Sequence, residues 1–99
     1  MEITKTQEAA TLTVALAGRI TTNTAGEVGE ALEDLSGVER LVLDFAGVEF
    51  ISSAGLRVLL VAQKAMMASG GAMVLKNVND DVMDVFDVTG FADILTIEE

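Results

Sequence analysis

A chain of 99 residues that is 51% hydrophobic and 22% charged is too apolar for disorder and can bury roughly 60 to 70% of its unfolded surface in one core. It contains neither Cys nor His, which removes disulfides, the common zinc and copper ligands, and thiol or imidazole catalysis. A net charge of −10 with no Trp or Tyr argues against nucleic acid and anionic lipid, and favours encounter with a basic patch on another protein.

No linker-like stretch divides the chain, so residues 1–99 are expected to form one domain. Met1 to Lys5 lacks the blocks of a signal peptide, and the apolar stretch Leu56 to Ala68 is broken by Arg57, Gln63 and Lys64. A cytoplasmic protein without membrane insertion is expected.

In chain order, Glu2 to Gln7 is a weak strand and Thr11 to Ala17 a well-alternating one, joined by a turn near Glu8 to Ala10. Gly18-Arg19-Ile20 ends the second strand. Thr24-Ala25-Gly26-Glu27 has capping-box spacing, and Val28, Ala31, Leu32 and Leu35 predict an amphipathic helix stopping at Ser36-Gly37. Leu41 to Phe45 reads as a central strand covered on both faces. A mostly buried helix is predicted from Leu56 to about Ala68, with Leu56, Leu59, Leu60, Gln63 and Met67 as one stripe, Val58, Val61, Ala62, Ala65 and Met66 widening it, Arg57 and Lys64 on the remaining face, and Gly70-Gly71 as its stop. Met73 to Lys76 is the next strand. Asn79 caps a helix with Val82, Val85 and Phe86 inward, Gly90 ends it, and Ile94 to Ile97 is a last short strand. The expected fold is α/β, a mixed β-sheet with an initial antiparallel hairpin, covered by about three to four α-helices.

The segment Val48 to Leu56 carries the most chemistry. Two hydroxyls, Ser52 and Ser53, followed by two small residues sit where a strand hands over to a helix, a place that favours anions. On spacing alone, a plain N-cap followed by close helix–sheet packing explains the same residues. Asp80, Asp81, Asp84 and Asp87 are spaced as a solvated helix face and not as a calcium loop. Met66, Met67 and Met73 are adaptable core groups. An enzyme built on Asp44, Glu49 and Ser53 lacks a suitable base, since Lys64 lies about three helical turns from Ser53. No catalytic residue, cofactor or metal is expected.

Phe50-Ile51-Ser52-Ser53-Ala54-Gly55-Leu56 resembles the signature of STAS domains, the family of bacterial anti-sigma factor antagonists. Leu16 to Ile20, Leu43-Asp44-Phe45 and Phe86 to Phe91 resemble further parts of that family in its order, so the likeness runs from Ile3 to Ile97. The resemblance implies a non-enzymatic regulator that binds an anti-sigma factor when unphosphorylated and thereby frees a sigma factor. It also implies that this partner is an ATP-dependent serine kinase whose target falls on Ser53, with Ser52 as the runner-up, and that a phosphatase of the PP2C type reverses the modification. Thr21, Thr22, Asn23, Ser52, Ser53, Ala54, Gly55 and Arg57 fall on the docking face so implied. Two positions depart from the pattern: Ser52 and Thr21 stand where better-known members carry Asp. A constitutive STAS scaffold or transporter-accessory module without a phosphoswitch is the alternative.

Overall fold

In the computed structural model, residues Met1–Glu98 are described. Strands β1 (Glu2–Glu8) and β2 (Thr11–Ile20) form the antiparallel hairpin, turning at Ala9, whose φ is 52°. Then follow α1 (Ala25–Ala31), β3 (Arg40–Ile51), α2 (Ser53–Ala68), β4 (Ala72–Lys76), α3 (Asp80–Thr89), a 3-10 turn at Phe91–Asp93, and β5 (Thr96–Ile97). The strands lie in the order β1-β2-β3-β4-β5, with every pair after the hairpin parallel. The expected mixed sheet with its leading hairpin is therefore present, with three α-helices.

Because each parallel strand is laid down beside the last, the right-handed crossover rule places α1, α2 and α3 on one face of the sheet. Leu12, Val14, Leu16, Leu41, Leu43, Phe45, Met73 and Leu75 face that layer and share one core with Val28, Leu59, Ala62, Val82 and Phe86 from the helices. Phe45 and Phe86 meet at its centre, ring centroids 6.3 Å apart. The opposite face, with Thr13, Val42 and Val74 in register, carries no helix. The expectation of a strand covered on both faces is corrected here: on the helix-free face Val42 and its partner Val74 are buried without any helix over them.

Three other local expectations change. β3 is one strand of 12 residues and not a short run followed by a separate Phe50-Ile51. Its register against β2 shifts twice, between Ala15 and Ala17 and between Gly18 and Arg19, each time with an extra residue on β3. These bulges re-phase the alternation, so Val48 and Ile51 point inward while Glu49 and Phe50 stay exposed.

Helix α1 ends at Ala31 and not at Ser36. It holds two glycines in seven residues, which lowers its propensity, and Asp34 Oδ1 then accepts from the Ser36 N–H at 3.1 Å to start a turn. Helix α2 buries Gly55, Leu56, Leu59, Ala62 and Met66, so its inner stripe is a narrower part of the predicted one, extended by Gly55. Met67 and Val61 are exposed. Helix α3 follows expectation. Asn79 Oδ1 accepts from the Val82 N–H at 2.8 Å, and Gly90 closes the helix in the left-handed region at φ 81°.

Candidate functional site at the start of helix α2

The C-terminal ends of β2 and β3 deliver two chain segments to one edge of the domain. Thr21 to Thr24 leave β2, and Ser52 to Gly55 leave β3 as the start of α2. The junctions are tied together, since the Ser52 N–H donates to the Ile20 carbonyl at 2.8 Å. Gly55 then allows α2 to settle onto both strand ends. A Cβ there would lie 2.6 Å from Ile20 Cγ2 and 2.7 Å from Ile51 Cγ1, so only glycine permits this approach.

The two serines have different jobs. Ser52 is the N-cap, with its Oγ accepting from the Gly55 N–H at 3.3 Å, and it is half-buried. Ser53 is the first helical residue, exposed, and its hydroxyl makes no hydrogen bond among the described residues. The helix's own bonding begins with the Leu56 N–H donating to the Ser52 carbonyl at 3.0 Å. This leaves the Ser53 and Ala54 N–H groups pointing outward at the positive end of a 16-residue helix. No acidic residue occupies its first turn.

Thr22, Ser53, Ala54 and Arg57 line one shallow depression of ≈ 430 Å³. Arg57 follows Ser53 by one helical turn, so both lie on the same side of α2. Thr21 and Asn23 belong to the adjoining turn, where the Asn23 N–H donates to Thr21 Oγ1 at 3.2 Å. Thr24 does not form the predicted capping box. Its backbone is already helical (φ −102°, ψ −14°), and its hydroxyl donates to the Arg19 carbonyl at 2.7 Å while accepting from the Thr21 N–H at 2.8 Å. That pair of bonds pins the turn and leaves Thr22 and Asn23 exposed. Of the residues expected at the site, Thr21, Thr22, Asn23, Ser52, Ser53, Ala54 and Arg57 sit at this edge, whereas Gly55 is buried and acts inward.

Two neighbours were not legible as site residues. Arg19 pairs with Phe50 across β2 and β3 and stacks over its ring at 4.6 Å from the centroid. Phe50 is 37% exposed and lies two residues before Ser52. Only the second bulge in β3 turns its ring outward, and nothing in the alternation of the sequence marks that bulge.

The remaining candidates lie elsewhere. Asp44 opens on a separate depression on the helix-free face, with Glu2, Thr4 and Ala15. Its carboxyl is held below the usual aspartate range, first by the Asn77 amide at 3.0 Å, then by the Ala46 N–H at 3.0 Å, with Lys76 adding attraction and partial burial opposing. It therefore supplies no base to Ser53. Among the described residues there is no acidic cluster that could hold a metal, and no helix is long and apolar enough to cross a membrane.

The comparisons with known proteins agree with this geometry. The STAS domain model matches residues 1–99. BtrV of Bordetella bronchiseptica, assigned as an anti-sigma factor antagonist, is 39% identical over 61 residues; the match covers 62% of this chain and 53% of that protein, about half its length. The anti-sigma-B factor antagonist of Listeria monocytogenes is 35% identical over 85 residues, covering 84% of this chain and 75% of the other. Among solved structures, a Thermotoga maritima protein assigned to the same role superimposes with a TM-score of 0.90 at 21% identity, covering 98% of this chain and 86% of that one. The Bacillus cell fate determinant SpoIIAA in its phosphorylated form gives 0.76 at 16% identity, covering 99% and 92%. A mixed five-stranded sheet with three helices on one face, a serine exposed where β3 becomes α2, and a family match over the whole chain together place this protein in the STAS domain family.

Proposed function

We propose that this chain is an anti-sigma factor antagonist controlled at Ser53. In the unphosphorylated form it docks through the edge formed by Thr21 to Asn23 and the start of α2 onto an anti-sigma factor that is also an ATP-dependent serine kinase. The sigma factor is thereby released. Phosphate on Ser53 ends the complex, and a PP2C-type phosphatase restores it. One observation carries the reading: an exposed, unbonded serine hydroxyl at the first position of α2, in a chain whose relatives are described as antagonists.

The geometry favours Ser53 over Ser52 as the acceptor. The Ser52 oxygen is engaged as the helix cap, so modifying it would remove a cap whose loss costs about 1 kcal/mol. A phosphate on Ser53 adds about −1.5 to −2 charge at a surface built around a hydroxyl. An unpaired charge desolvated in an interface costs on the order of 2–5 kcal/mol, which corresponds to roughly thirtyfold to several-thousandfold in affinity.

Incubation with ATP and the cognate kinase, followed by peptide mass spectrometry, tests the site. The expected result is phosphate on Ser53, none on the Ser53→Ala protein, and persistent binding of that variant to the kinase. Ser53→Asp weakens binding less than phosphate does, having less charge. Phosphate on Ser52 alone, or co-purification with a membrane transport complex in place of an ATPase, refutes the proposal. The second outcome would make the domain a transporter-accessory module.

A further inference from the structure

Helices α1 and α2 leave between them a groove of ≈ 360 Å³ whose floor and α2 wall are Leu32, Val58, Val61, Ala62 and Ala65. Gly29 leaves the opposite wall without a side chain; a Cβ there would fit, in ordinary contact 3.8 Å from Val58 Cγ2. Val61 is 63% exposed, and its significance lies in its continuity with the other apolar residues of the groove. Ala54, Val58, Val61 and Ala65 follow one another at helical spacing, so the apolar line runs along α2 for about 16 Å and starts beside Ser53. The groove is acidic on its α1 side, where Glu30 and Glu33 line it, while the exposed Arg57 and Lys64 lie outside it on α2, flanking Val61.

From this we infer that the α1–α2 groove docks a basic amphipathic helix of a protein partner, its apolar side against Val58, Val61 and Ala65 and its Lys or Arg residues beside Glu30 and Glu33. The mode is helix-in-groove recognition, in which apolar side chains at helical spacing anchor and flanking charges set orientation. The carboxylates of Glu30 and Glu33 select this occupant. A second copy of this chain would bring the same acidic rim and a net charge of −10, and nucleic acid or anionic lipid would be repelled. The surface extends the Ser53 edge without depending on a phosphoswitch.

The test uses the whole protein and a defined probe. A 14-residue synthetic peptide with leucine at helical spacing and lysine elsewhere is titrated into protein labelled at its Ala and Val methyl groups, and an otherwise identical peptide carries glutamate for lysine. The lysine peptide is expected to give saturable shifts at Val58, Val61 and Ala65 with a dissociation constant below about 1 mM, while the glutamate peptide gives none. Val61→Gln is expected to weaken binding about tenfold, as loss of a central apolar anchor without any change of charge does. Glu30→Lys with Glu33→Lys should weaken it a further ~3-fold to 10-fold at low salt, a difference that closes at high salt. Circular dichroism checks that the variants fold. Shifts gathered instead on the acidic side of α3, no saturation, or binding unchanged by Val61→Gln overturn the proposal. No kinase and no phosphate enters this experiment, so failure of the Ser53 switch leaves its result unaffected.

Discussion

Replacing Gly55 by Ala sets two physical effects of opposite sign against each other. In a helix, Ala is favoured over Gly by up to about 1 kcal/mol. Against that, the new Cβ would lie 2.6 Å from Ile20 Cγ2 and 2.7 Å from Ile51 Cγ1, about 1 Å inside ordinary carbon contact. Both isoleucines are buried at the ends of their strands, at 1% and 2% exposure, so neither can swing into solvent and the first turn of α2 must lift. Overpacking of this kind costs about 1–3 kcal/mol, and the net expectation is a destabilisation of about 1–2 kcal/mol. In a domain of this size that lowers Tm by roughly 5–15 °C. Urea denaturation is the assay, with a lower midpoint at unchanged slope as the expected result. Lifting the turn also moves Ser53 relative to Thr21 to Asn23, so on the proposed phosphoswitch, modification of Ser53 should slow even well below Tm. A Gly55→Ala protein as stable as the parent, or more so, would refute the close-packing argument, because propensity alone would then have decided the outcome.

Four further expectations rest on single contacts. Asn79→Ala removes the α3 cap and also the amide that donates to the Val48 carbonyl at 2.8 Å; a loss of about 2 kcal/mol is expected in urea denaturation. Phe86→Ala opens the centre of the core against Phe45 and should cost about 3–5 kcal/mol, visible as a collapse of the thermal transition. Asp44→Asn should destabilise by no more than about 1 kcal/mol near neutral pH, given its partial exposure. Because hydrogen bonds from Asn77 and Ala46 hold the folded carboxyl below the ordinary 3.8, its contribution is complete above that value and fades as pH falls through the lower folded one. The gap between the two proteins in a pH series of Tm should therefore close only in acid. Ser52→Asp puts a carboxylate at the cap of α2, which should add about 0.3–1 kcal/mol at low salt; a loss of stability would show that Ser52 does more than cap.

What could be read from the chain followed the strength of each local signal. The hairpin, the order of elements, the Asn79 cap and the Gly90 stop rest on short patterns with one physical solution, and they stand in the structure. β3 was harder. Its two bulges change which residues face inward at Val48 and Ile51, and a bulge leaves no periodic trace because it breaks the period. Phe50 was therefore readable as an apolar strand residue and not as an exposed ring under Arg19. The Thr24 capping box failed for a related reason. Its hydroxyl is claimed by the Arg19 carbonyl and the Thr21 N–H, partners that a four-residue motif cannot contain. For α2 the boundaries were near the mark but its inner face was drawn too wide, since Val58, Val61, Ala65 and Met67 are apolar and only Arg57, Gln63 and Lys64 interrupt the run.

The start of α2 is also where the domain has least freedom to respond to a new charge. Ser52 is bonded through its N–H to Ile20 and through its side chain to Gly55, and Gly55 rests on Ile20 and Ile51. The platform beneath Ser53 is thus fixed to two strands before any phosphate arrives. Outward-pointing N–H groups and the absence of acid in the first turn make the same position favourable to negative charge, by about 0.3–1 kcal/mol. Inside the domain, then, the sign of the effect is mildly stabilising and nothing nearby has reason to rearrange. The opposing and larger effect, on the order of 2–5 kcal/mol, arises only when a partner surface removes water from that phosphate without supplying a counter-charge. Since the small effect acts on folding and the large one on association, the proposed modification at Ser53 would act on the complex and leave the fold intact.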